Sequence, residues 1–83
     1  MDKSLYSHQH EQLLTLLRNL RNEAGLRQQD VADAIGEPQS FVSKYESGER
    51  RLDILELREI CRVLGHSLVE FSQKLEAQLK KRR

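Results

Sequence analysis

Apolar residues along this chain recur every three or four positions, with polar residues between them, and glycines break the pattern at regular intervals. In "HEQLLTLLRNLRNEAGL" the positions Leu13, Leu17, Leu20 and Ala24 fall on one helical stripe, and Gly25 supplies a left-handed stop. Leu14 and Leu16 widen that stripe, which predicts a second neighbour for this helix, inside or outside the chain. "QQDVADAIG" predicts a short second helix with Val31, Ala32 and Ile35 inward and Gly36 at its end. A third begins near Pro38, a residue suited to a helix start because its missing N–H has no partner there in any case. Its inner face is Phe41, Val42 and Tyr45, and Gly48 ends it. "LDILELREICRVLG" opens with Asp53 and Glu56 in capping-box spacing and turns Leu57, Ile60, Cys61 and Leu64 inward. Ser67 and Glu70 repeat the box, and Leu68, Phe71, Leu75 and Leu79 mark a last helix. No alternating pattern competes and β-branched residues are few. The expected class is all-α, with five helices.

Length and composition narrow what such a bundle can do. Eighty-three residues predict a single domain over 1–83, with a lead over 1–7 and a last helix with a basic tail over 68–83. A domain of this size has little volume to spare for a ligand cavity. The one cysteine, Cys61, permits no internal disulfide and reads as a core thiol. His8, His10 and His66 lack companion ligands at zinc spacing, so neither a metal nor another cofactor is expected. No nucleophile–base pair, carboxylate dyad or phosphate-cradling glycine loop appears, so an enzyme is not expected. No apolar run reaches the length of a membrane span and the start lacks a signal-peptide core, which makes the cytoplasm the expected location. Net charge is +1, but ten of the 14 cations remain without Lys80 to Arg83, against 13 anions, leaving −3. Any contact with nucleic acid therefore depends on a placed surface and not on bulk charge.

The third segment offers such a surface. Opposite its apolar face stand Gln39, Ser40, Ser43 and Lys44, all hydrogen-bonding groups. From Gln28 to Ser47 the spacing is that of a helix-turn-helix: Ala32 is small enough for a close helix crossing, Gly36 suits the turn, and Val31, Ile35, Val42 and Tyr45 join the two helices from inside. The second helix of such a unit fits a major groove about 12 Å wide and offers its first side chains to base edges.

From Leu17 to Leu68 the sequence resembles the phage-repressor-like helix-turn-helix proteins, the Xre family. The resemblance rests on GL-x-Q, the Ala-x-x-x-Gly turn, VS-x-x-E-x-G and the following L-x-x-I-x-x-x-LG, across more than half of the chain. It implies a five-helix lambda-repressor-like domain that binds double-stranded DNA as a transcriptional regulator, commonly as a dimer. Carried onto this chain, it assigns Gln39, Ser40 and Lys44 to base edges, with Ser43 beside them on a base or a phosphate. Gln28 would hold a phosphate and brace Gln39, and Arg50 and Arg51 would clamp the DNA backbone. Arg21 would pair with Glu46 and orient the recognition helix. Base chemistry agrees, since Gln can bridge N6 and N7 of adenine and Lys can donate to guanine.

Two positions depart from the family pattern. Arg27 stands where Ser or Thr usually caps the second helix, a loss of about 1 kcal/mol that a phosphate contact by Arg27 would offset. Glu37 replaces an apolar turn residue and, with Asp30, Asp33 and Glu49, predicts weak nonspecific attraction to DNA. The expected assembly is a homodimeric repressor on an inverted repeat, seamed through Leu75 and Leu79. A second reading is a protein-interaction module, such as the antitoxin of a toxin pair, motivated by the apolar surplus of Leu14, Leu16, Leu75 and Leu79.

Overall fold

The computed structural model describes residues 3–81, with side chains from Ser7 onward; the ends of the expected lead and basic tail, residues 1–2 and 82–83, lie outside the described residues. Five helices and no strand occur among them: α1 (Lys3–Glu23), α2 (Gln28–Ile35), α3 (Gln39–Ser47), α4 (Ile54–Val63) and α5 (Leu68–Lys80). Most of the lead is thus the first turns of α1. Neither Pro nor Gly interrupts the chain before Ala24, so a helix once nucleated extends through it at one hydrogen bond per added residue.

The core forms where the inward stripes meet. Leu17, Val31, Val42, Tyr45, Ile60, Cys61 and Phe71 are almost wholly removed from solvent, and every helix contributes at least one of them. Ala32 is also fully buried, and its single methyl lets α2 and α3 pack closely. α1 lies against both α3 and α5, which accounts for its wide stripe: Leu16 is buried, and Leu14 lies half-buried against the turn at Gly48. The predicted second neighbour is therefore part of the same chain. Ala24 is exposed, because α1 ends one residue before it. Burial pushes the Cys61 thiol up to about 11, so it stays protonated and acts as a small apolar group.

Side chains close the helix ends. Asp53 accepts from the Glu56 N–H at 2.8 Å while Glu56 accepts from the Asp53 N–H at 2.9 Å, and Ser67 and Glu70 form the same reciprocal pair at 3.0 and 2.8 Å. At α2 only half of this exists. The Arg27 guanidinium has no lone pair to offer, but the Asp30 carboxylate accepts from the Arg27 N–H at 2.8 Å and from its guanidinium at 2.8 and 3.1 Å. The missing N-cap oxygen is thus partly replaced from inside the first turn. Gly36 ends α2 at φ +73°, where a Cβ would crowd the following carbonyl, and its turn aims α3 away from α2.

The capping carboxylates set how the fold responds to acid. Arg27 holds Asp30 down at about 2, Arg50 and then the Asp53 N–H lower Glu56, and the Ser67 N–H lowers Glu70. Each binds a proton less readily folded than unfolded, so its contribution is complete above the unfolded carboxylate range near pH 4 and is lost as pH falls below that range, for Asp30 toward about 2. The urea midpoint at about pH 3 is expected to lie below that at about pH 6, and Asp30→Asn is expected to flatten part of the difference.

Candidate nucleic-acid interface

α3 divides into two faces. Val42, Tyr45 and Glu46 are buried, whereas Gln39, Ser40, Ser43 and Lys44 are exposed along one side. Burial of Glu46, a carboxylate 7% exposed in a protein this small, requires compensation. Arg21 of α1 provides it: Nε donates to Glu46 Oε2 at 2.7 Å and Nη2 donates to Oε1 at 3.0 Å, while Nη1 donates to the Leu26 carbonyl at 3.0 Å. The two side chains are only 12% and 4% exposed. This fork-on-fork geometry ties the end of α3 to α1 and to the turn before α2.

From the same carboxylate a hydrogen-bonded chain runs outward. Gln28 Nε2 donates to Glu46 Oε1 at 2.9 Å, and Gln39 Nε2 donates to Gln28 Oε1 at 2.6 Å. Chemistry sets the direction of both bonds. A carboxylate can only accept, so Gln28 must turn its NH2 toward Glu46 and its oxygen toward Gln39. Gln39 must then donate, which leaves its own Oε1 and its second N–H facing solvent. An acceptor and a donor side by side match the N6–H and N7 of adenine. α3 also begins at Pro38 without a side-chain cap, leaving the positive end of the helix open beside Gln39 and Ser40.

The expected backbone clamps are more dispersed. Arg27 projects from the start of α2 with its side chain 78% exposed, paired to Asp30. Arg50 lies in the turn after α3 and is held by Glu56 at 2.8 and 3.0 Å. Its neighbour Arg51 faces another way, lining a groove of about 290 Å³ with Gln9, His10, Leu13, Leu75 and Leu79. There burial, aided by the charge of Arg51, lowers the pKa of His10 below its ordinary value. Within α5, Leu75 packs against the core and Leu79 is half-buried on the same side, while Gln78 Nε2 donates to the side-chain and backbone oxygens of Gln12 at 2.7 and 3.0 Å. The side of α5 carrying the expected seam therefore already rests on α1. Among the described residues the large apolar side chains left open are Ile54, Leu55 and Val69, at 64–71% exposure. Leu55 and Val69 fall off the helical stripes of α4 and α5, and that mismatch was the sequence signal for them, whereas Ile54 keeps stripe spacing with Leu57 and Cys61 and gave none.

Residues 17–71 match the family model described as helix-turn-helix, HTH_3. The chain belongs to this family. Among solved structures it is similar to an XRE-family like protein from Pseudomonas syringae pv. tomato str. DC3000, at 43% identity over 90% of this chain and 92% of the other, with a TM-score of 0.84. It is also similar to the restriction-modification controller protein C.Esp1396I, at 25% identity over 86% and 93% of the two chains, with a TM-score of 0.79. A further structure of that controller, a tetramer in complex with its natural 35 base-pair operator, matches at 26% identity over 84% and 92%, with a TM-score of 0.77. No curated protein matches the chain significantly. This helix-turn-helix protein is a DNA-binding transcription regulator and not an enzyme.

Removing Arg21 would leave Glu46 buried with only the Gln28 amide as partner. Arg21→Ala is expected to cost about 3 kcal/mol, the low end for breaking a buried pair, and to lower Tm by more than about 10 °C. Arg62→Ala, which breaks an exposed pair with Glu59, is expected to cost no more than about 1 kcal/mol. Thermal melts of both variants check the contrast.

Proposed function

We propose that the protein is a sequence-specific repressor that binds an inverted repeat as a homodimer, with α3 in the major groove and the cytoplasm as its site of action. The observation that carries this reading is the chain Arg21–Glu46–Gln28–Gln39, which holds a glutamine at the tip of the exposed helix with its outward donor and acceptor already assigned. Ordering that side chain before DNA arrives lowers the entropy cost of reading a base. Gln39 is assigned to adenine, Ser40 and Lys44 to the neighbouring base edges, and Ser43 to a base or phosphate beside them. Phosphate contacts are assigned to Arg27, Arg51 and the second amide N–H of Gln28. The Arg50 guanidinium has less to offer a phosphate, since Glu56 and the Arg51 carbonyl already take several of its N–H groups.

A dimer follows from the arithmetic of recognition, because one helix-turn-helix reads too few base pairs for a useful specificity ratio. We assign the seam to Ile54, Leu55 and Val69, the large apolar side chains left to solvent among the described residues, in place of Leu75 and Leu79. Uptake of Leu14 and Leu16 into the fold removes much of the motive for the antitoxin-type reading.

Selection of bound sequences from a random DNA pool tests the whole reading, and recovery of a palindrome is the expected result. Against the selected site, Gln39→Ala and Ser40→Ala are each expected to remove discrimination worth about 1–3 kcal/mol at particular base pairs while nonspecific binding survives. Arg51→Ala is expected to weaken binding to every sequence alike and to lower the salt slope by about 0.9. Equal weakening of specific and scrambled duplexes by Gln39→Ala would overturn the base-reading assignment.

For the assembly, sedimentation at tens of micromolar is expected to show a dimer. Leu55→Lys with Val69→Lys is expected to give a folded monomer, whereas Leu75→Glu, which strikes the core, is expected to lower Tm. A monomeric unsubstituted protein at that concentration sinks the dimer.

A further inference from the structure

Arg50 occupies the turn joining α3 to α4 and is tied to both. Its backbone N–H donates to the Lys44 carbonyl of α3 at 3.2 Å. Its guanidinium carbon lies 4.5 Å from the centroid of the Phe41 ring, also on α3. Nη1 and Nη2 donate to the two Glu56 oxygens at 3.0 and 2.8 Å, and Nη1 also donates to the Arg51 carbonyl at 2.9 Å. Glu56 is itself anchored, since its Oε1 accepts the Asp53 N–H at the start of α4. Phe41 continues the line inward, meeting the buried Tyr45 edge-on at 5.9 Å and 75°.

We propose that Arg50 is a positioning residue that fixes the orientation of the base-reading helix by bracing Phe41 against Glu56, and that it is not a phosphate clamp. The inference rests on α3 being the helix that reads bases. α3 has nine residues and no side-chain cap, so packing must set the aim of its first turn. Val42 and Tyr45 hold it from inside. On its outer flank the space between α3 and α4 is a cleft of about 140 Å³ lined by Ile35, Glu37, Phe41, Glu56 and Glu59, with no apolar side chain from α4 filling it. The stacked, forked guanidinium spans that flank. Phe41 follows Gln39 and Ser40 directly, so a shift of its ring moves both reading side chains. Arginine suits the task because one planar group can lie on a ring face while its edge engages a carboxylate with two parallel bonds; lysine cannot do both. Glu56 and the Arg51 carbonyl engage three of its five guanidinium N–H groups, so a phosphate competes for the remaining two against a side chain already fixed on the ring.

The test is a cycle of Arg50→Ala, Glu56→Gln and the double variant, with Gln39→Ala as reference. Glu56→Gln retains an oxygen for the Asp53 N–H and removes the charge that holds Arg50. Each variant is melted, then titrated with the selected duplex and with one altered at the base pair read by Gln39, at several salt concentrations. The expected result is that Arg50→Ala and Glu56→Gln each lower the ratio of the two affinities by about tenfold, within the range for one base contact. The double variant should lose no more than either alone, the salt slope should stay unchanged, and Arg50→Lys should not restore the ratio. A fall in slope of about 0.9 on Arg50→Ala, with Glu56→Gln without effect, makes Arg50 a phosphate contact and overturns the proposal. Equal weakening of both duplexes overturns it as well. Should Gln39→Ala leave the ratio unchanged, the base-reading assignment itself fails, and the brace is decided by the melts: additive losses of stability refute it, non-additive losses support it.

Discussion

The buried carboxylate of Glu46 is the constraint from which the rest of the recognition surface follows. A lone anion in that position would be costly to remove from water, and the structure answers with a forked guanidinium from α1 and an amide from α2. Because a carboxylate accepts and never donates, each later group in the chain has one permitted orientation, out to Gln39 at the surface. Three helices are thereby set relative to one another by a single polar cluster, and the same cluster decides which atoms are offered to solvent. Apolar packing alone could hold α1, α2 and α3 together, but it could not tell a glutamine which end to present.

Around that cluster the apolar residues form a small and fully used core. α1 packs on two partners, so a stripe wider than one helix needs is consumed within the chain. Among the described residues the large apolar side chains left exposed are at the first turns of α4 and α5, in Ile54, Leu55 and Val69. The reading face of α3, by contrast, is wholly polar. The exposed apolar side chains and the polar face of α3 are thus chemically different surfaces.

Electrostatics shapes the surface in the same selective way. Without its terminal cations the chain is net negative, and several of its arginines are paired: Arg21 with Glu46, Arg27 with Asp30, Arg50 with Glu56 and Arg62 with Glu59. A protein with this balance gains little from the diffuse attraction of a polycation to DNA. Under the proposed function, preference for one site over others comes from placed hydrogen bonds, which puts weight on how firmly α3 is oriented. Arg21–Glu46 on one side and Arg50 with Phe41 on the other are polar contacts that join α3 to its neighbours.

Much of this was legible in the residues themselves. Five helices, their inner faces and the helix-turn-helix follow from 3.6-residue periodicity, glycine stops and capping boxes, all properties of short segments that need no knowledge of distant neighbours. The exposed face of α3 is legible for the same reason, since Gln39, Ser40, Ser43 and Lys44 are what its stripe leaves out. What only the tertiary structure decided concerns pairs far apart in sequence. It set Leu14 and Leu16 inside the fold, because two helices distant along the chain close over α1. It turned Leu75 and Leu79 toward α1, because a periodic stripe shows that a face is apolar without showing what covers it. It divided Arg50 from Arg51, adjacent and alike in sequence, by giving one a carboxylate and a ring and the other a groove beside His10. A guanidinium's role is set by the partner within reach of its long side chain, and that partner is fixed by how the helices pack.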